Sequence, residues 1–217
     1  MKTIKLLALF LFLFSVAQAQ VKDAYYNDIQ RFKKQDSIKF PPKNAVLFIG
    51  SSTFTNWKDA QNYFPKHTIV NRGFGGSSLP NVINYVGDIV YPYQPKQIVI
   101  YCGENDFMTD GTTPDMVVNR AKKLIDTIRI KYPKVPIAYI SIKPSPSREK
   151  YLPLMIEANT NIKEMLKGIK RTQFINTYDA MFNADGTIMK DIFLSDNLHM
   201  NAKGYTIWQK IMEPYLK

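Results

Sequence analysis

Short, β-branched, almost continuously apolar runs that alternate with stretches of helical spacing constrain this chain more than any other feature. The runs are Ala45-Val-Leu-Phe-Ile49, His67-Thr-Ile-Val-Asn71, Gln97-Ile-Val-Ile-Tyr101 and Pro136-Ile-Ala-Tyr-Ile-Ser141, with Gln173-Phe-Ile-Asn-Thr177 as a weaker fifth. Strands covered on both faces read this way, because neither face can be left polar. Between and after them apolar residues recur at steps of three and four. The first set is Leu79, Val82, Ile83, Val86 and Ile89, and the second Val117, Ala121, Leu124, Ile125 and Ile128. A third runs from Met155 through Ala158, Ile162 and Leu166 to Ile169, and a fourth from Tyr205 through Trp208 and Met212 to Tyr215. That spacing places them on one helical stripe. The alternation predicts an α/β fold with a doubly wound, mainly parallel sheet of five strands. In such a fold the ligand crevice lies at the carboxyl ends of the strands, so motifs at those ends carry the most weight.

The first residues read differently. A basic start (Met1 to Lys5), an unbroken apolar run (Leu6 to Phe14) and the small-x-small site Ala17-Gln-Ala19 have the layout of a secretory signal peptide. The expectation is cleavage after Ala19, export to the periplasm or outside the cell, and one domain over residues 20–217. The apolar run is too short to span a bilayer, which takes ~20 residues, so no integral membrane span is expected. No cysteine lies near the cleavage site, which excludes lipid attachment there. With 45% hydrophobic residues in a chain of 217, there is material for one sizeable core, and no repeat or linker divides it.

The formal charge of +11 raises the question of nucleic acid. Lys122, Lys123, Lys163, Lys167, Lys170 and Arg171 fall on helical segments as solvated faces, so no nucleic-acid partner is expected. Cys102 is the only cysteine, which excludes an internal disulfide framework and a Cys-rich zinc site. Inside a strand end it reads as a small buried hydrophobe. Two histidines, His67 and His199, exclude a multi-histidine metal centre. His67 has no partner motif and reads as structural.

Four motifs fall where the fold puts its crevice. Three follow strands: Gly50-Ser-Ser-Thr53, Arg72-Gly-Phe-Gly-Gly76 and Gly103-Glu-Asn-Asp106. The fourth, Ser195-Asp-Asn-Leu-His199, stands just before the last helical stretch. The first lacks the trailing glycine of a GxSxG elbow, since Phe54 stands there. No Gly-Lys-Ser/Thr follows the glycines, and Gly73-Phe-Gly75 continues as Gly76-Ser77-Ser78, so neither a P-loop nor a dinucleotide fingerprint is present.

In these four blocks, in their order and spacing from about Val46 to Tyr205, the sequence resembles the SGNH hydrolases, also called GDSL esterases and lipases. The resemblance implies a flavodoxin-like three-layer α/β/α sandwich and a serine esterase. Ser51 stands where the family's Gly-Asp-Ser has aspartate. By family position the nucleophile is Ser52. His199 is the histidine placed to take its proton, and Asp196 can hold the imidazole's other nitrogen. The backbone N–H groups of Ser52 and Gly76 and the side-chain amide of Asn105 can supply an oxyanion hole. With N–H donors in that role, no metal and no organic cofactor is implied.

Each of these residues also has a plainer reading. Ser52 and Asp196 could cap helices, the glycines could form a tight turn, and Asn105 could be a turn residue. Phe54, Trp57, Phe74 and Phe107, with Met108, lie close in sequence to the motifs. They could form a platform for sugar rings or an acyl slot, or pack in the core. The loops are short and leave little chain for a lid. The leading expectation is therefore a secreted hydrolase of small or glycan esters that removes acetyl or another short acyl group from carbohydrate. A lysophospholipase or thioesterase on the same machinery, and a glycan-binding protein without turnover, are the alternatives.

Overall fold

The computed structural model describes residues 24–217, so the leader expected over residues 1–19 lies outside the described residues. In chain order the elements are α1 (Tyr26–Ile38), β1 (Val46–Gly50), α2 (Ser52–Asn56), α3 (Ala60–Tyr63), β2 (Ile69–Gly73), α4 (Leu79–Asn84) and α5 (Val86–Ile89). There follow β3 (Gln97–Tyr101), α6 (Pro114–Lys131), β4 (Ile137–Ile140), α7 (Leu152–Lys167), β5 (Thr172–Ile175) and α8 (Ala202–Met212), with short 3₁₀ turns between. The strands form one sheet in the order β2-β1-β3-β4-β5, every pairing parallel. This is the doubly wound arrangement expected from the alternating pattern.

Burial follows position in that order. The central strands β1, β3 and β4 are buried at every residue, while the edge strands β2 and β5 are partly open. Alternate residues point to opposite faces. Leu47, Ile49, Ile98, Ile100 and Tyr139 join a core beneath α1, α4, α5, α6 and α7. Val46, Phe48, Val99, Tyr101 and Ile140 join another with residues of α2, α3 and α8. Two cores on one sheet make three layers.

Local signals explain where the helices start. Thr113 caps α6 by accepting from the Met116 N–H at 3.3 Å, with Pro114 in the first turn, where a missing N–H costs nothing. Asn201 caps α8 by accepting from the N–H groups of Lys203 and Gly204.

Three sequence expectations shift. The helix expected as one piece from Leu79 to Ile89 is two, because Tyr85 leaves helical geometry at φ −103° and ψ 9°. Its ring turns edge-on against Phe74 at 5.8 Å. The second strand lies two residues later than its apolar run. His67 is left in a turn, where its N–H donates to the Phe64 carbonyl. α1, with few apolar residues, is an addition; it docks through Ile29 and Phe32 and through Asp36, which pairs with buried Arg72 and accepts from Tyr93.

Candidate active site

The site lies at the carboxyl ends of β1 and β3, where the sheet order reverses direction and a crevice opens. At Gly50, paired with Tyr101, the backbone adopts φ +136°. A Cβ at Gly50 would stand 1.8 Å from the Tyr101 carbonyl oxygen, so only glycine lets β1 turn this close to its neighbour. The turn delivers Ser51 into the interior and Ser52 to the start of α2, half-buried.

A tight reversal delivers the facing group. Phe193 and Met200 form an isolated antiparallel bridge, and the Leu194 N–H donates to the His199 carbonyl at 2.8 Å. Asn197 at the tip takes φ +55°, a conformation asparagine tolerates better than most residues. Asp196 Oδ1 accepts from the N–H groups of Leu198 and His199, each at 2.9 Å, which leaves Oδ2 to face the ring. His199 Nδ1 lies 2.6 Å from Asp196 Oδ2, and His199 Nε2 lies 3.0 Å from Ser52 Oγ.

Asp196 sets the tautomer. Its slight burial works upward, but the hydrogen bonds from the His199 ring and from the His199 and Leu198 N–H groups outweigh it and hold the carboxyl at about 2. An ionised carboxylate can only accept, so Nδ1 carries the imidazole proton and Nε2 is free to accept from the Ser52 hydroxyl. A hydroxyl held this way can lose its proton as it attacks an electrophile.

α8 begins just after the reversal, and its packing fixes where His199 sits. The Tyr205 hydroxyl donates to the Thr53 carbonyl at 2.8 Å, and the Tyr205 ring stacks on Trp57 at 4.7 Å. Residues either side of the hydroxyl–imidazole contact are thus joined by buried packing between α2 and α8.

The other two motifs follow β2 and β3, the strands that flank β1. Gly76 is exposed in the turn after β2, at φ +75°, and its carbonyl accepts from the Tyr25 hydroxyl at 3.1 Å. Asn105 Nδ2 donates to Ser51 Oγ at 2.8 Å and to the Ser77 carbonyl at 3.2 Å. Ser51, where the family pattern has aspartate, therefore anchors the Asn105 amide. Asp106 is wholly buried: it accepts from the Leu79 N–H at the start of α4 and pairs with Arg120 on α6 at 2.9 Å. Burial pushes its carboxyl up, against the pull of that N–H and of Arg120.

The structure corrects the expected aromatic platform. Phe54, Trp57 and Phe74 are 0% exposed and Phe107 is 3% exposed, so none offers a face to a ligand. Successive helical residues are turned by about 100°, which places Phe54 on the side of α2 opposite Ser52. There it stacks on Phe48 at 4.7 Å. Trp57 packs among Phe48, Tyr63, Phe64 and Tyr205, and Phe74 between Tyr25 and Tyr85. His67 lies apart from the motifs, with Nδ1 at 2.9 Å from the Lys217 carbonyl oxygen. Cys102 is buried, as expected. Among the described residues no helix is long and apolar enough to cross a membrane.

The profile of the GDSL-like Lipase/Acylhydrolase family matches residues 42–207, which include all four motifs. The chain belongs to the GDSL-like lipase/acylhydrolase family. Members of this family are serine ester hydrolases, and this chain is one of them. Solved structures show the same fold. A Streptococcus pneumonia protein is 23% identical with a TM-score of 0.76, covering 88% of this chain and 92% of its own. A GDSL-like lipase from Bacteroides thetaiotaomicron VPI-5482 is 18% identical with a TM-score of 0.74, covering 86% and 96%. A carbohydrate esterase family 3 protein from Talaromyces cellulolyticus is 13% identical with a TM-score of 0.63, covering 80% and 96%. No curated protein matches the sequence.

Outside the four motif roles, Lys143 and Glu104 are buried against each other, 3.2 Å apart. The signal for this in the sequence is a lysine two residues past the fourth apolar run, where burial of its charge is costly.

Proposed function

We propose that this GDSL-like hydrolase cleaves short-chain acyl esters, acetyl above all, from carbohydrate, with Ser52 as nucleophile, His199 as base and Asp196 as its orienting carboxylate. The carrying observation is the continuous contact from Asp196 through both nitrogens of His199 to Ser52 Oγ. Ser52 Oγ attacks the acyl carbonyl carbon as its proton passes to Nε2. The tetrahedral oxyanion is met by the N–H groups of Ser52 and Gly76 and by the Asn105 amide, which gives up its longer bond to the Ser77 carbonyl as the charge develops. Collapse expels the alcohol, which takes the proton from Nε2 and leaves an acyl-enzyme. Water, deprotonated by the same nitrogen, then releases the carboxylic acid and restores Ser52.

The open mouth of the site supports a small acyl group. Ser51 alone separates β1 from α2, and the Asp196–His199 reversal, though it ends the long connection from β5 to α8, is exposed at its tip, so these two walls leave the crevice open among the described residues. The carbohydrate esterase among the structural neighbours agrees with a sugar as the alcohol. We further propose that residues 1–19 direct export, so that the mature chain begins at Gln20; N-terminal sequencing of protein recovered outside the cytoplasm checks this.

The deciding experiment follows acetate release from acetylated polysaccharides and hydrolysis of p-nitrophenyl esters of increasing chain length. Acetyl esters are expected to lead. Preference for long-chain esters or lysophospholipids would replace this reading. Ser52→Ala is expected to lower kcat by about 10⁴- to 10⁶-fold, while Ser51→Ala retains at least about a tenth of the rate, the size of one lost neutral hydrogen bond. The reverse pattern would move the nucleophile to Ser51.

A further inference from the structure

A lysine and a glutamate are buried together behind the reversal that carries Asp196 and His199. Lys143, 1% exposed, follows β4, and Glu104, 8% exposed, immediately precedes Asn105. Lys143 Nζ lies 3.2 Å from Glu104 Oε2 and 3.3 Å from Oε1. The same ammonium donates to the Leu198 carbonyl at 2.8 Å, between Asp196 and His199, and sits 5.5 Å from the centre of the Phe193 ring at the base of the reversal. Glu104 is held in turn: Oε2 accepts from the Tyr101 hydroxyl at 2.7 Å and Oε1 from Ser145 Oγ at 3.4 Å. A second tie runs alongside, from the Ser147 N–H to the Asn197 carbonyl at 3.0 Å.

Stability alone is a poor reason for such a pair. Removing two charges from water costs several kcal/mol per ion, and apolar replacements of similar volume are often as stable or more so. What the ions supply here, and apolar side chains could not, is direction. Lys143 joins the loop after β3, which holds Asn105, to the reversal before α8, which holds His199. Asn105 reaches Ser51 and His199 faces Ser52, so the two loops meet at that pair of serines.

We propose that Lys143, held by Glu104, is a positioning residue that sets the Asp196–His199 reversal relative to Asn105 and so fixes the distance from His199 Nε2 to Ser52 Oγ. The inference rests on the triad reading above. Proton transfer is steep in distance: a displacement of about 1 Å can cost on the order of a hundredfold in rate. Ground-state binding of a small ester would hardly sense it.

The test compares the wild type with Lys143→Met and with the double variant Lys143→Met/Glu104→Gln, which replaces the ions with neutral groups of matched size. Folding is followed by circular dichroism melts, and hydrolysis of p-nitrophenyl acetate across pH by steady-state kinetics. The rate of Ser52 labelling by a fluorophosphonate reports nucleophile activation directly. The expected result is a folded double variant with kcat and labelling rate each lowered about ten- to a hundredfold, KM within twofold, and a displaced acid limb of kcat/KM. A folded double variant with kcat and labelling within twofold of wild type would overturn the proposal. Failure of the double variant to fold would overturn it too, since the pair would then be a folding requirement. Ser52→Ala, assayed in parallel, separates the two levels. An active Ser52→Ala enzyme brings down the triad reading, whereas an inactive one beside an unimpaired double variant removes only the positioning role.

Discussion

Ser51 and Ser52 are adjacent and chemically alike, yet the fold gives them opposite surroundings. Ser51 is buried and receives the Asn105 amide, while Ser52 is half-buried and faces His199. Asn105 is therefore held before substrate arrives, and a preorganised donor acts mainly on charge that develops in the transition state. Asn105→Ala is expected to lower kcat by about 10²- to 10³-fold with KM changed little; a weakened KM at normal kcat would make Asn105 a ground-state contact. Asp196 leads to a prediction about pH. Its carboxyl falls from 3.8 to about 2 in the native chain, so folding favours the ionised form. The resulting stabilisation is complete above the unfolded value and is lost as pH drops through the folded one. The wild type should exceed Asp196→Asn in stability at pH 5, by a small margin because the side chain is nearly half exposed, and the gap should close toward pH 2 in urea unfolding. At neutral pH the same variant should lose about 10³- to 10⁴-fold in kcat, because an amide can present the wrong partner to Nδ1. His67→Gln should leave the pH profile as it is.

The strands were legible because a buried parallel strand has no polar face to confuse its pattern. β3 matches its apolar run residue for residue, and β1 and β4 differ only at their ends. β2 is an edge strand, its pairing continues through Arg72 and Gly73, and hydropathy does not mark those positions. α1 escaped notice because its docking rests on two apolar residues and on charged pairs to Arg72 and Asp88 rather than on a full stripe. The aromatic residues show a different limit. Nearness to a motif along the chain is not nearness on the surface, since a helix rotates each side chain away from the last. Between elements, the tie from α8 to α2 is the most exposed to test. Tyr205→Phe removes the donor to the Thr53 carbonyl but keeps the ring on Trp57. It should cost about 1–2 kcal/mol in denaturant unfolding and lower kcat more than it changes KM. Equal stability and kcat would show that stacking alone sets the approach of the helices.

Taken whole, the molecule gathers into one crevice groups that the chain keeps far apart. The sequence made the four motifs legible, and the parallel sheet explains their convergence, since every strand points its carboxyl end the same way. It did not make legible the buried ions behind them, because a lysine's burial depends on partners in other loops. The separation has a consequence for the order of events during synthesis. Ser52 precedes His199 by 147 positions, and the helix that seats the histidine comes later still. On the triad reading proposed above, a chain made only as far as α2 holds the attacking hydroxyl but no group to take its proton. Through most of translation the emerging polypeptide is therefore inert toward esters. On the same reading, any chain that stops short of His199 stays silent.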